Sequence, residues 1–164
     1  MSLVHPHILL LSAGKNAYEV SMARIQLKFL AGQYPCGEVT RHWSPGNPEG
    51  LCTFPPCLAS GIVESREHVL LHCPSYSAVR NKLINLCLKV KSPVSHSLVV
   101  SHLVLGDTMF QMQLLLDCSV LPSVIVARQN FGDVVINDLF YLGRTWCFSL
   151  HRERMKRLGH WNQL

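Results

Sequence analysis

The chain has 164 residues, 48% of them hydrophobic and only 15% charged, which suits one domain with its own core and excludes disorder throughout. Fifteen Lys and Arg against ten Asp and Glu leave a net charge of +5, which permits contact with nucleic acid without demanding it. Seven cysteines cannot all pair, and the apolar run in MSLVHPHILLLSAG is short and lacks a charged start, so no secretory leader is expected and the thiols are read as reduced and intracellular, in nucleus or cytoplasm.

Residues 1–15 read as a loose N-terminal segment. In NAYEVSMARIQLKFLAGQY, Ala17, Val20, Ala23, Leu27, Leu30 and Ala31 recur at three- and four-residue steps. This predicts a helix from Asn16, closed by Gly32, with Arg24 and Lys28 one turn apart on a neighbouring strip. PCGEVTRHWSPGNPEG is rich in proline and glycine and predicts an irregular loop carrying Trp43. ESREHVLLHC predicts a short helix capped by Ser65 and stopped by Pro74, which biases Cys73 away from helical geometry. Ser75 is placed to cap a second helix, YSAVRNKLINLCLKV, with Tyr76, Val79, Leu83, Leu86 and Val90 as its stripe.

Residues 92–95 read as a linker. Beyond them, Leu98 to Leu105 and Thr108 to Leu116 read as short helices around Gly106-Asp107. A longer helix runs from Val124 or Asn130 to Leu158, with Val135, Leu139, Leu142, Trp146 and Leu150 as its apolar stripe. Asp107, Asp117 and Pro122 interrupt the apolar stretch 93–127, so no membrane span is expected. Alternating strand patterns are absent, and the class is mainly α.

The chemistry concentrates in CTFPPCLASGIVESREHVLLHCP. Cys52, Cys57, His68 and Cys73 follow the order C-x4-C-x10-H-x4-C. Two cysteines on a Pro-Pro turn supply one edge of a tetrahedron, and a histidine and cysteine at a helix end supply the other, which suits zinc. His72 lies one turn from His68 and competes with it for the role. The rival reading is a set of small core thiols beside an exposed helix histidine.

ARIQLKFLAGQYPCGEVTRHWSPGNPEGLCTFPPC followed by ESREHVLLHCPSYSAVRNKL resembles the zinc-binding region after the polymerase domain of non-LTR (LINE-type) retrotransposon reverse transcriptases. The resemblance covers Asn16 to Val90, and the tail LFYLGRTWCFSLHRERMKRLG looks like the ending of such reading frames. Residues 92–129 carry no matching motif. The resemblance implies a zinc-binding domain over 16–91, a helical C-terminal region with a basic tail over 92–164, and a CCHC-type site at Cys52, Cys57, His68 and Cys73.

Such a zinc would be structural, tying the Pro/Gly-rich loop to the helices on either side. No adjacent aspartates, P-loop, GxSxG or HExxH occur, so no enzyme is expected and the polymerase and endonuclease parts of the parent are missing. Binding then falls to Arg24, Lys28, Arg41, Trp43, Arg80, Lys82, Arg152, Arg154, Lys156 and Arg157. Cations neutralise phosphates and an aromatic stacks on an unpaired base. Trp146 reads as core, and Trp161 extends the tail. The expected function is a non-catalytic zinc module binding RNA or DNA with little sequence preference. The alternatives are a protein-interaction module using the apolar 94–127 region and a retrotransposon relic without function.

Overall fold

The structure, a computed structural model, describes residues 16–159; the expected loose segment 1–15 and Trp161 lie outside them. Among the described residues the regular structure is helical, and the sole β pairing is one antiparallel bridge between Leu51 and Val63. The mainly α class read from the sequence is the class observed.

α1 (Ala17–Leu30) begins as expected. Glu19 N–H donates to Asn16 Oδ1 at 2.8 Å, and Glu19 in the first turn and Lys28 in the last suit the helix dipole. Gly32, at φ +67°, lets Gln33 N–H reach Lys28 O at 2.8 Å and closes the helix. The buried face is rotated from the expected stripe. Met22, Ala23, Gln26 and Phe29 are buried, while Ala17, Val20 and Ala31 face water. Phe29 sets this phase, because it stacks on Tyr34 with ring centroids 3.7 Å apart.

The Pro/Gly-rich loop contains a short helix, α2 (Gly37–Thr40), and returns to the Leu51–Val63 bridge. Gly37 and Gly50 lie back to back: a Cβ on Gly37 would meet Gly50 O at 2.3 Å, and Gly50 itself adopts φ +68°. Only glycine lets the two ends of the loop touch here.

α3 (Ser77–Cys87) is not capped by Ser75. A 3₁₀ turn, Pro74–Tyr76, precedes it, and the Ser75 hydroxyl donates instead to Pro55 O at 3.0 Å. Its buried positions include Cys87, while Leu86 is exposed. The expected linker at 92–95 opens α4 (Pro93–Val99), with Ser92 accepting from Ser95 N–H and proline in the first turn. A π-turn, Val100–Val104, follows, then α5 (Thr108–Asp117) capped by Asp107. α6 (Pro122–Phe131) and α7 (Asp133–Arg157) replace the single long helix, because Gly132 at φ +77° breaks it.

α7 is the central element, packed against α1, α3, α4, α5 and α6. Its expected stripe is fully buried. Ile136, Phe140, Cys147, His151 and Arg154 are buried as well, because neighbours cover more than one side of the helix. At the crossing of α1, α5 and α7, Gln26 Nε2 donates to Leu115 O at 2.6 Å. One continuous core runs from Phe29 and Tyr34, past Cys52, Cys57 and Cys73, to Leu150. Leu98, Val99, Leu103, Leu114, Leu115, Leu116, Leu121 and Val124 place much of the apolar 94–127 region inside it. Among the described residues no single helix is long and apolar enough to cross a membrane; the bent pair Thr108–Val120 and Pro122–Phe131 passes by length and composition alone.

Candidate metal centre

Cys52 leaves the Leu51–Val63 bridge with its N–H donating to Ile62 O at 2.8 Å. The chain then turns through Pro55 and Pro56, joined by a cis bond, and brings Cys57 to the head of a 3₁₀ turn, Leu58–Ser60. The hydrogen bond from Ser75 to Pro55 ties this turn to the segment that carries Cys73.

The other two donors come from ESREHVLLHCP. His68 N–H donates to Ser65 Oγ at 3.0 Å, the cap expected from the sequence. From His68 the helix widens. Cys73 N–H donates to His68 O at 2.7 Å, the five-residue bond of a π-turn spanning His68–His72. In an α-helix a five-residue step would leave the two side chains about 140° apart. The wider turn brings them to the same side, and Pro74 stops the helix there. The expected swing of Cys73 after the helix end is thus only half of the device.

One donor atom from each of Cys52, Cys57, His68 and Cys73 lies within 4.8 Å of all the others. The Sγ atoms of Cys52 and Cys73 are 3.9 Å apart and those of Cys57 and Cys73 are 3.8 Å apart. A disulfide needs about 2.05 Å. A tetrahedron with metal–sulfur bonds of about 2.3 Å has edges of about 3.8 Å. The spacing is that of thiolates around an ion, and all seven cysteines are free. His68 is buried, and its Nε2 has no hydrogen-bond partner. A buried ring nitrogen without a partner is rare and costly, and a bound ion would satisfy it. His72 is exposed and lies 3.3 Å from the Glu67 carboxylate, so it stands outside the cluster.

Burial raises the Cys52 and Cys57 thiols above their ordinary range, with Cys73 adding to both, and burial also lowers the His68 imidazole. An ion that binds here would therefore displace protons from the Cys52 and Cys57 sulfurs.

A buried ion pair that sequence reading missed locks this region to α7. Glu64 Oε2 accepts from Gly37 N–H at 2.7 Å and from Arg154 Nη2 at 2.9 Å, while Oε1 accepts from Arg154 Nε at 3.2 Å. Desolvation works against the Arg154 charge, but the hydrogen bonds and charge of Glu64 outweigh it and hold the guanidinium above its ordinary range. Arg154 lies 5.8 Å over the Tyr34 ring, and the Tyr34 hydroxyl is 3.1 Å from His151 Nδ1. Trp146 Nε1 donates to Leu70 O at 3.2 Å, a second tie from α7 to the π-turn.

Of the residues expected to meet nucleic acid, Arg24, Lys28, Arg41, Trp43, Lys82, Arg152, Lys156 and Arg157 are exposed. Trp43 is 75% exposed, with His42 edge-on to it and Arg41 Nε 3.4 Å from His42 Nε2. Two cations depart from the expectation. Arg154 is only 8% exposed and is held by Glu64, so it does not present itself to phosphate. Arg80 is half-buried, its Nη1 is enclosed without a partner, and Cys57 and Cys73 act electrostatically on it. No positional pattern marks Arg154, because its partner Glu64 lies 90 residues away in sequence.

No family model, curated protein or solved structure matches the chain.

Proposed function

We propose that the chain is a non-catalytic, zinc-clasped helical module that binds RNA or DNA with little sequence preference, similar to the region after the polymerase domain of a non-LTR retrotransposon reverse transcriptase. The observation that carries the zinc reading is the buried Cys52, Cys57, His68 and Cys73 cluster with its 3.8 and 3.9 Å sulfur edges. Thiolates with one imidazole in a tetrahedron suit zinc among the common divalent ions. Four protein donors leave no open position, so the ion braces the loop and performs no chemistry.

The exposed cations and Trp43 support the nucleic-acid half of the reading. A groove of about 250 Å³ adds to it, with Tyr18 and Phe148 edge to face at 5.2 Å and Arg152 and Lys156 on its wall. Phosphates would meet the cations and bases the aromatic faces. Glu153, also on that wall, is engaged by Arg157 at 2.8 Å.

Metal content of the purified protein tests the first half. Wild type carries one zinc per chain, and Cys73→Ser carries none. Anisotropy of a labelled single-stranded oligonucleotide tests the second, with binding at low salt that weakens as salt rises. Absence of binding at low salt overturns the nucleic-acid half and favours a protein partner at Leu105 and Met109, which stay exposed in the apolar 94–127 region.

A further inference from the structure

Among the polar atoms near the cluster that are enclosed without partners are Nε2 of His68 and Nη1 of Arg80. The first is explained by an ion at the cluster. The second is not, because a guanidinium is met best by an anion, and no hydrogen bond reaches this atom. A half-buried cation without a counter-charge is costly, and removing it from water lowers its pKa. Glu64, the nearby carboxylate that acts on His68, is committed to Arg154 and to Gly37 N–H.

The charge of the loaded centre supplies what is missing. A divalent ion held by three cysteinates and a neutral imidazole carries one net negative charge. Arg80 lies on α3, seven residues after Cys73; Cys57 and Cys73 act electrostatically on its guanidinium, and its charge acts on His68. We propose that Arg80 is the outer-sphere cation of the metal centre: its enclosed guanidinium faces the cysteinates and brings the loaded site to net neutrality. It holds the thiolates in their charged form and belongs to the clasp, not to the nucleic-acid surface. Groups that orient and electrostatically support metal ligands typically change metal affinity by about 10- to 100-fold. Lys82, two residues further along α3, is exposed and provides the internal control.

This inference rests on the zinc reading, and the experiment separates the two. Zinc affinity of the full chain is measured by competition with a chromophoric chelator for wild type, Arg80→Met, Arg80→Lys and Lys82→Met. Arg80→Met weakens binding by roughly 10- to 100-fold. Arg80→Lys recovers most of the loss, and Lys82→Met leaves affinity unchanged. Cobalt substitution gives a readout that a packing role would not move. Loss of the neighbouring cation raises the sulfur lone pairs in energy, so the thiolate-to-cobalt charge-transfer band of Arg80→Met shifts to lower energy. The tetrahedral ligand-field bands stay in place. If wild type takes up no zinc, the zinc reading fails, and this inference with it. If wild type holds zinc and Arg80→Met holds it equally tightly with an unmoved band, the role of Arg80 alone is overturned.

Discussion

Acidification should weaken the fold through one residue, His151. Its side chain is only 9% exposed, packed against Tyr34, and it lies near the positive charges of Lys28 and Arg154. Burial, reinforced by those cations, holds its imidazole down from 6.5 to about 4. The unfolded chain takes up the proton at the ordinary value, and the folded chain does so only near the lower one. Between them the unfolded state binds more protons, so stability falls as pH drops through that window and levels off below it. At about 1.4 kcal/mol per pH unit, the full loss is about 3 kcal/mol. The assay is urea unfolding of wild type and His151→Gln from neutral pH to about pH 4. Any loss of metal at low pH would be common to both proteins, so the difference between them isolates the histidine. His151→Gln keeps a polar partner for the Tyr34 hydroxyl and loses the titration. Wild type should fall relative to the variant across the window. A difference that stays flat with pH, or an imidazole that titrates near its ordinary value in the folded protein, refutes the reasoning.

Other outcomes follow from the same contacts. Arg154→Met strands the buried Glu64 carboxylate and should cost about 3–5 kcal/mol in urea unfolding, with part regained in Glu64→Gln/Arg154→Met. Gly143→Ala places a methyl against Leu115 O at 2.3 Å and Gln26 Nε2 at 2.6 Å, so the melting temperature should fall despite the better helix propensity of alanine. Trp43→Ala should weaken single-strand binding by about 1–3 kcal/mol, the range for one stacked base, without changing thermal stability. Lys156→Ala should lower the salt dependence of that binding by about one counterion, with little effect on the fold.

Much of this arrangement is legible in the sequence because it is local. Ser65 acts as the expected cap, whereas Ser92 caps a helix where a linker is expected and Ser75 turns to Pro55 instead. The α7 stripe is legible because five apolar residues at helical spacing have little choice of face. The donor order of Cys52, Cys57, His68 and Cys73 is likewise visible in the string, and the structure gathers those four together. The phase of α1 is not, because Phe29 follows a partner outside the helix. Nor is the π-turn, whose wider winding places Cys73 beside His68 and has no compositional mark. Arg154 reads as a surface cation because a sequence shows charge but not the anion it meets. The partner of Arg154 lies 90 residues away.

That separation has a consequence during synthesis. All four donors have left the ribosome once Cys73 has, so the clasp can close on an ion from a local stretch of chain. Glu64, in the middle of that stretch, must wait for Arg154 to emerge, as Leu70 must wait for Trp146. Until then the carboxylate needs water, and the loop cannot settle into the interior. Capture of an ion would thus be an early, short-range event, and its sealing among the last. A ribosome-stalled chain ending before α7 should hold zinc yet leave Glu64 and the π-turn open to solvent.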